Sequence, residues 1–371
     1  MDFDLPEEIV EKKKRVREFA LKHFDMEKAK YYDVNEKFPF EIRKKAMEEG
    51  IIEYDPWALL VTIEELFTID AGLGFSVFSP FFGNENIMLL GTDEQKKKYL
   101  DPVLKGEKIM GFAVTEPVAG SDVAGIQSKI EKKDGKWILN GNKMFITNGS
   151  IADYLVVLAR NAPPPSPEKR HHNMTFSIVE MNWKGVSKNK LTGKMGMRAS
   201  DTAEIIFENV EVPEENILGE VGKGFYIAMQ FFNISRIYVA AMALGIGQGA
   251  LNRLIRKAGA DKEFSSSEYV QFTIAEVATR VEAARLLTYK AASYLFQMNP
   301  DPVLTSMAKY YAAETGTYAT ERALSMLGLD GAVTELERMF RDAKINEIWE
   351  GSSEIEELTI YRMLMKKYGG I

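Results

Sequence analysis

A single change of texture, later reversed, governs what this chain can fold into. Up to about residue 109, apolar residues recur at helical spacing. Ile9, Val16, Phe19 and Ala20 form one run, and Phe38 to Ile51 form another that Gly50 stops. Thr92-Asp-Glu-Gln95 reads as a capping box opening the helix that carries Tyr99 and Leu100. From Ile109 the Lys/Glu/Leu mixture gives way to Gly, Thr, Asn and β-branched residues. Asp134-Gly135 and Asn140-Gly141 are two-residue hairpin signals among strand candidates at 129–132, 137–139 and 143–147. Further strands are predicted at 154–159, 175–179 and 203–207. After Pro213 the helical texture returns and holds, with runs at 224–258, 267–296, 302–326 and 353–368, lengths that suit long antiparallel helices burying one another's inward stripes. The expected class is α+β: an N-terminal helical domain (1–109), a middle antiparallel β-sheet domain (110–215) and a C-terminal long-helix bundle (216–371).

Composition removes several chemistries. Cysteine is absent and histidine stands only at 23, 171 and 172, which leaves no disulfide, thiol nucleophile, iron–sulfur cluster or Cys/His zinc site, and no metal site is expected. His171 and His172, beside Lys169 and Arg170 after Pro163-Pro164-Pro165, read as solvated loop residues, and His23 as a surface or capping residue. Proton abstraction then falls to a carboxylate, a lysine or a tyrosine. With 47 Lys plus Arg against 54 Asp plus Glu the net charge is -7, without the clustered cations that track phosphates, so nucleic acid is not an expected partner. The longest nearly apolar run, Tyr238 to Leu251, is broken by Gln248 and falls short of the roughly 20 residues that cross a bilayer, so no membrane association is expected. The first residues lack the basic start and apolar core of a signal peptide, and a cytoplasmic address is the expectation.

Four motifs bear on chemistry. Gly245-Ile-Gly247-Gln-Gly249 resembles a dinucleotide fingerprint, but its third glycine comes one place early and no strand precedes it. Close helix packing is the expected use. Gly219-Glu-Val-Gly-Lys223 lacks the spacing and hydroxyl of a phosphate loop. Thr115-Glu-Pro-Val-Ala-Gly-Ser-Asp122 gathers a glycine, hydroxyls and backbone amides able to cradle a phosphate or a heterocycle, though an ordinary turn has the same composition. In Ile348-Trp-Glu350-Gly-Ser-Ser353 an acid lies between apolar bulk and a flexible residue. Burial would raise its pKa toward that of a general base, while an acid complementing a helix dipole accounts for the fragment as well.

Together these stretches resemble the acyl-CoA dehydrogenase family of flavoproteins. Gly111-Phe-Ala-Val-Thr-Glu-Pro-Val-Ala-Gly-Ser-Asp122 is similar to the family's first signature. Asn140-Gly-Asn-Lys-Met-Phe-Ile-Thr-Asn148 and Met195-Gly-Met-Arg-Ala-Ser-Asp-Thr202 follow in order, then Arg236 with Ala240 and Ala241, Arg341-Asp-Ala-Lys-Ile345, and finally Ile348 to Ser353. The resemblance covers nearly the whole chain. It implies FAD held between sheet and bundle by Phe112, Val114, Thr115, Gly120, Ser121, Phe145, Ile146, Thr147, Ser352 and Glu354. It implies an acyl-CoA substrate met by Ser121, Asn233, Ser235, Arg236 and Gly351, and Glu350 as the catalytic base. The reaction implied is α,β-dehydrogenation to a trans-2-enoyl-CoA, with flavin N5 as hydride acceptor. An electron-transfer flavoprotein is the implied electron acceptor, and a homotetramer or dimer the implied assembly, with hetero-assembly as a variant.

Several positions depart from the family pattern. Arg256-Lys-Ala-Gly-Ala-Asp261 replaces the stretch that reaches the neighbouring subunit's cofactor, Ser325 to Gly331 replaces a glycine-rich loop, and Glu354 and Glu357 stand where Gln and Arg are usual. A glycine-rich loop expected after Ile52 is missing, the chain passing almost directly from Tyr54 to a helix at Pro56. Phe78, Phe81 and Phe82 fall near the acyl tail and point to short or branched substrates, with core packing an equal explanation. Two other functions fit the same fold: a flavin oxidase or monooxygenase, and a cofactor-poor partner subunit or binding protein. The acid at 350 argues against the second.

Overall fold

The computed structural model describes residues 5–297 and 299–369. Its N-terminal part consists of Glu7–His23 (α1), Met26–Asn35 (α2), Phe40–Glu48 (α3), Pro56–Ile69 (α4), Ala71–Phe78 (α5), Asn84–Leu90 (α6), and the short turns Asp93–Gln95 (α7) and Asp101–Leu104 (α8). Asp55 caps α4 by accepting from the Ala58 N–H at 2.8 Å, with Pro56 in the first turn, so the direct passage into this helix is a built start. The Thr92/Gln95 capping box forms, but the helix behind it passes through a π turn at Lys96–Leu100. Gln95 also donates to the carbonyls of Glu215 and Ile217 at 2.8 Å, tying this region to the far end of the sheet.

The strands are Met110–Ala113 (β1), Lys129–Lys133 (β2), Lys136–Thr147 (β3), Tyr154–Arg160 (β4), Met174–Glu180 (β5), Val186–Lys190 (β6), Thr202–Val212 (β7) and Ile217–Leu218 (β8). They run in the order β6-β7-β3-β2-β4-β5-β8, with β1 beside β4. Most pairings are antiparallel, as expected; β1 runs parallel to β4, and β2 meets β4 in parallel at Lys129 and Arg160. Asp134-Gly135 makes the β2–β3 turn, with φ of 50° and 80°. The second hairpin signal misleads. Asn140-Gly141 lies inside the continuous β3, at a break in register with β7. There, a Cβ on Gly141 would stand 2.1 Å from Ser128 Oγ, so the glycine permits close approach and a bulge where a turn was predicted. Strand β6 escaped prediction because its Ser187-Lys-Asn-Lys190 stretch is exposed and carries no apolar alternation. Along β4, Val156 and Leu158 join the helical core while Leu155, Val157 and Ala159 fill a second core within the sheet domain, so both faces are buried.

The C-terminal part comprises Gly224–Ala260 (α9), Lys262–Ser266 (α10), Glu268–Phe296 (α11), Pro302–Leu327 (α12), Leu329–Ala332 (α13), Glu335–Ala343 (α14) and Ser353–Tyr368 (α15). Among the described helices, α9 alone is long and apolar enough to cross a membrane. It is instead packed by α4, α11 and α12, with 67% of its most apolar window buried inside the protein. Gly245 and Gly249 face α4, where a Cβ would stand 2.4 Å from the Glu64 and Thr68 carbonyl oxygens; the glycine run serves helix packing. Polar clamps join the three regions. The Asn148 amide donates to the Ser79 and Met110 carbonyls at 2.8 and 3.0 Å, Asp342 accepts from the Met197 N–H at 2.5 Å, and Arg341 pairs with Asp33 at 2.7 Å. His23 is not a surface residue: it packs on Phe19 and bonds Glu49 Oε1 at 2.7 Å, because the buried stripe of α1 reaches its last turn.

Candidate functional site

The acid singled out by the sequence sits in a strained loop between α14 and α15. Glu350 has φ 55° and Gly351 has φ 112°, two consecutive residues in the left-handed region. Only glycine fits the second position, since a Cβ there would meet Glu356 Oε1 at 2.1 Å. Three side chains from α9 and α12 hold the loop. Arg236 Nε donates to the Glu350 carbonyl at 3.0 Å, Lys309 Nζ donates to the Gly351 carbonyl, and Ser235 Oγ donates to Glu350 Oε2 at 2.5 Å. Trp349 packs against Phe75 of α5 with ring centroids 5.1 Å apart, supplying the apolar wall.

Burial sets the electrostatics of this loop. Burial raises the pKa of part-buried Glu350; the Ser235 hydrogen bond and the charges of Arg236 and Lys309 oppose the rise, and Glu356 adds to it. Glu356, fully enclosed on α15, is also raised by burial. Its Oε1 lies 2.9 Å from Arg236 Nε, an ion-pair contact without hydrogen-bond alignment, because that N–H points at the Glu350 carbonyl. Burial lowers Lys309 to about 8.

A second half lies on the sheet. In the Thr115–Asp122 loop, buried Glu116 accepts from Gln127 N–H at 2.6 Å, Ser128 N–H at 3.0 Å and Lys143 Nζ at 2.8 Å, and Lys143 also donates to the Val114 carbonyl at 2.9 Å. The Met144 N–H donates to the Thr115 carbonyl at 2.9 Å. The loop is therefore pinned at its acid, while Gly120 and Ser121 beyond it stand exposed, with nothing within 4 Å of a Cβ built on Gly120. On β3, Phe145 adopts φ 59° and is 68% exposed, an aromatic ring held outward at some conformational cost, between buried Lys143 and buried Ile146. Thr115 and Thr147 are half-buried nearby.

Sequence-predicted residues thus fall into three groups. Glu350, Gly351, Ser235 and Arg236 are in direct contact. Phe112, Val114, Thr115, Gly120, Ser121, Phe145, Ile146 and Thr147 lie on β1, β3 and the loop between β1 and β2. Phe112 joins this group to α9, its ring centroid 4.2 Å from Phe231 and 6.4 Å from Phe232, the latter one turn before Ser235. Asn233, Ser352 and Glu354 make no side-chain hydrogen bond to either group; Ser352 and Glu354 open α15, with Glu354 exposed. Lys309 and Glu356 were missed. A lysine inside the alanine stripe Ala308, Ala312 and Ala313, and an acid one turn after buried Ser353, are charges on inward faces, and that pattern could have exposed them.

The comparisons agree with this geometry. Residues 6–107, 111–210 and 222–365 match, in order, the N-terminal, middle and C-terminal domains of acyl-CoA dehydrogenase. Fold and site together define a flavin-type acyl-thioester oxidoreductase, and the chain belongs to the acyl-CoA dehydrogenase family. It is 36% identical to an acyl-CoA dehydrogenase of Bacillus subtilis, over 97% of this chain and 98% of the relative. It is 34% identical to the caffeyl-CoA reductase-Etf complex subunit CarC of Acetobacterium woodii, over 96% and 97%. The solved butyryl-CoA dehydrogenase of Megasphaera elsdenii superposes with a TM-score of 0.91 at 32% identity, over 98% of this chain and all of that one. Members of the family are FAD-dependent, and FAD is the cofactor of this site. The residues present fit it: an outward aromatic ring at Phe145, hydroxyls at Thr115 and Thr147, and an open glycine loop whose amides suit phosphates.

Proposed function

We propose that the chain dehydrogenates an acyl-CoA thioester between its α and β carbons, giving a trans-2-enoyl-CoA, with Glu350 as the base. The observation that carries this reading is the Glu350–Gly351 loop, strained, clamped by Arg236 and Lys309, and presenting a carboxyl whose pKa burial raises. A carboxylate at its ordinary pKa is a weak base for an α-proton; a raised one is better matched. The α-proton passes to a Glu350 oxygen, and Ser235 steadies that carboxylate through its hydrogen bond. The Glu350 N–H donates to no group among the described residues and is free to hold the thioester oxygen as charge develops on it. When bound, FAD supplies the acceptor for the β-hydride.

Phe75, Phe78 and Phe82 pack edge to face beside Trp349 and bound the acyl end, which supports short, branched or ring-bearing acyl groups. The Etf complex in the name of the Acetobacterium relative supports an electron-transfer flavoprotein as electron partner, and exposed Phe272, Tyr361 and Tyr368 on the bundle helices support a dimer or tetramer. That relative is named a reductase. The same protonated acid would serve the reverse reaction, so the physiological direction follows the partner's potential. Anaerobic titration of the yellow protein with butyryl-, isovaleryl-, phenylpropionyl- and palmitoyl-CoA tests the function: short or ring-bearing thioesters bleach the flavin absorbance and Glu350→Gln abolishes bleaching. No bleaching by any thioester would sink it, and fast reoxidation by oxygen would instead mark an oxidase.

A further inference from the structure

A small notch between α6 and α9 has no role in the reaction described above. Three polar side chains, Glu85, Asn86 and Gln230, share with the apolar Leu89, Leu90, Ile227 and Phe231 the walls of a cavity of about 10 Å³, roughly the room one water-sized group needs. Two acceptors of its walls have no partner among the described residues: Glu85 Oε2 and Asn86 Oδ1 are buried and unbonded. Asn86 is only 2% exposed, so its orphan oxygen cannot be satisfied from bulk water. Asn84, the neighbouring residue and 3% exposed, leaves both amide atoms unbonded as well.

The notch is close to the Glu350 loop. Phe231 and Ser235 are one turn apart on the same face of α9, and Ser235 is bonded to Glu350. Glu85 is near enough that the charge of Glu350 adds to the effect of burial in pushing its carboxyl up to about 7. With Glu85 ionised, the buried orphan acceptors outnumber the orphan donors and call for a ligand that donates hydrogen bonds, and the space admits a single oxygen rather than a length of hydrocarbon.

Building on the acyl-CoA reading, we infer that this notch selects acyl groups carrying a hydroxyl at their far end, the hydroxyl donating to Glu85 and Asn86 in place of a water. A site made to bond a hydroxyl discriminates strongly against the analogue without it, because the buried acceptors are then left unpaired.

The test pairs each thioester with its deoxy counterpart: phenylpropionyl-CoA against its para-hydroxy form, and butyryl-CoA against its terminal-hydroxy form. Dissociation constants come from flavin spectral shifts and kcat/KM from anaerobic reduction. The hydroxylated member of at least one pair is favoured by roughly tenfold or more, and Glu85→Leu and Asn86→Leu, made separately, each remove most of that preference. Equal treatment of both pairs by the wild-type protein overturns the inference and leaves the notch a structural water site. So does a preference that survives both substitutions. If no CoA thioester perturbs or bleaches the flavin, the acyl-CoA reading fails and this one falls with it, an outcome distinct from bleaching without discrimination.

Discussion

Two lysines without solvent contact lie under the two halves of the site, and the fold treats them in opposite ways. Lys143, beneath the sheet-domain loop, has a dedicated carboxylate at 2.8 Å, and that carboxylate, Glu116, is satisfied further by two backbone N–H groups. Lys309, beneath the catalytic loop, is given a carbonyl instead. Around it stand a second cation, Arg236, and two acids, Glu350 and Glu356, both raised in pKa by burial. Burial lowers both lysines to about 8, so the contrast lies in the surroundings. The first arrangement is a closed pair that fixes a loop. The second is an unsettled set of charges around strained backbone, and perturbed titratable groups of this kind cluster at functional sites.

The largest effect falls on the unsettled half. Glu350→Gln lowers turnover by about 10²–10⁴-fold, the usual worth of a positioned acid–base group, while the protein stays folded. Its stability should move the other way. An acid with a raised folded pKa binds its proton more tightly folded than unfolded, so it subtracts stability as pH rises from the ordinary carboxylate value through the folded one. Thermal melts at pH 8 should therefore show Glu350→Gln at least as stable as wild type, and a clearly lower melting temperature would mean the acid is there for structure.

On the closed half the expectation is a loss of stability. Lys143→Met strands a buried carboxylate and costs about 3–5 kcal/mol in chemical denaturation, with flavin loss following as the Thr115–Asp122 loop loosens. Lys309→Met removes one bond to a carbonyl and also relieves repulsion from Arg236, so it costs only about 1–2 kcal/mol and is read instead as a fall in kcat larger than any change in KM. If the two substitutions destabilise equally, the contrast between closed pair and unsettled cluster is wrong.

Much of this was legible before any coordinates, and unevenly so. The long helices were readable to within a few residues because their apolar stripes repeat over many turns, as in α11 and α12. The bulge at Asn140-Gly141 was not, because a glycine demanded by Ser128 across the sheet has the same local sequence as one demanded by a turn. Glu350 followed from motif order and the family resemblance, but the hold of Ser235 and Arg236 on its loop did not, since both were expected to meet the thioester. Lys309 and Glu356 did not, since their meaning depends on three helices converging, which no local pattern records. Glu85 was hidden for a similar reason: its sequence neighbours Asn84 and Asn86 look like turn residues, and only packing against α9 leaves their oxygens without partners.

The finest test of the comparison is the acid limb of the pH profile. Because burial holds Glu350 above the ordinary carboxylate range, kcat/KM should keep rising with pH beyond that range as the base loses its proton. Its neighbours pull in opposite directions. Ser235 stabilises the anion, so Ser235→Ala should carry the limb to higher pH, by about one unit for a hydrogen bond to a charged oxygen. Glu356 repels it, so Glu356→Gln should bring the limb down by a smaller amount, with Arg236 still clamping the Glu350 carbonyl. A closed pair such as Lys143 and Glu116 could not be tuned in both directions by neutral substitutions. If both variants shift the limb the same way, or neither shifts it, the titration seen in kinetics belongs to another group, and the charges around the loop serve to hold its shape.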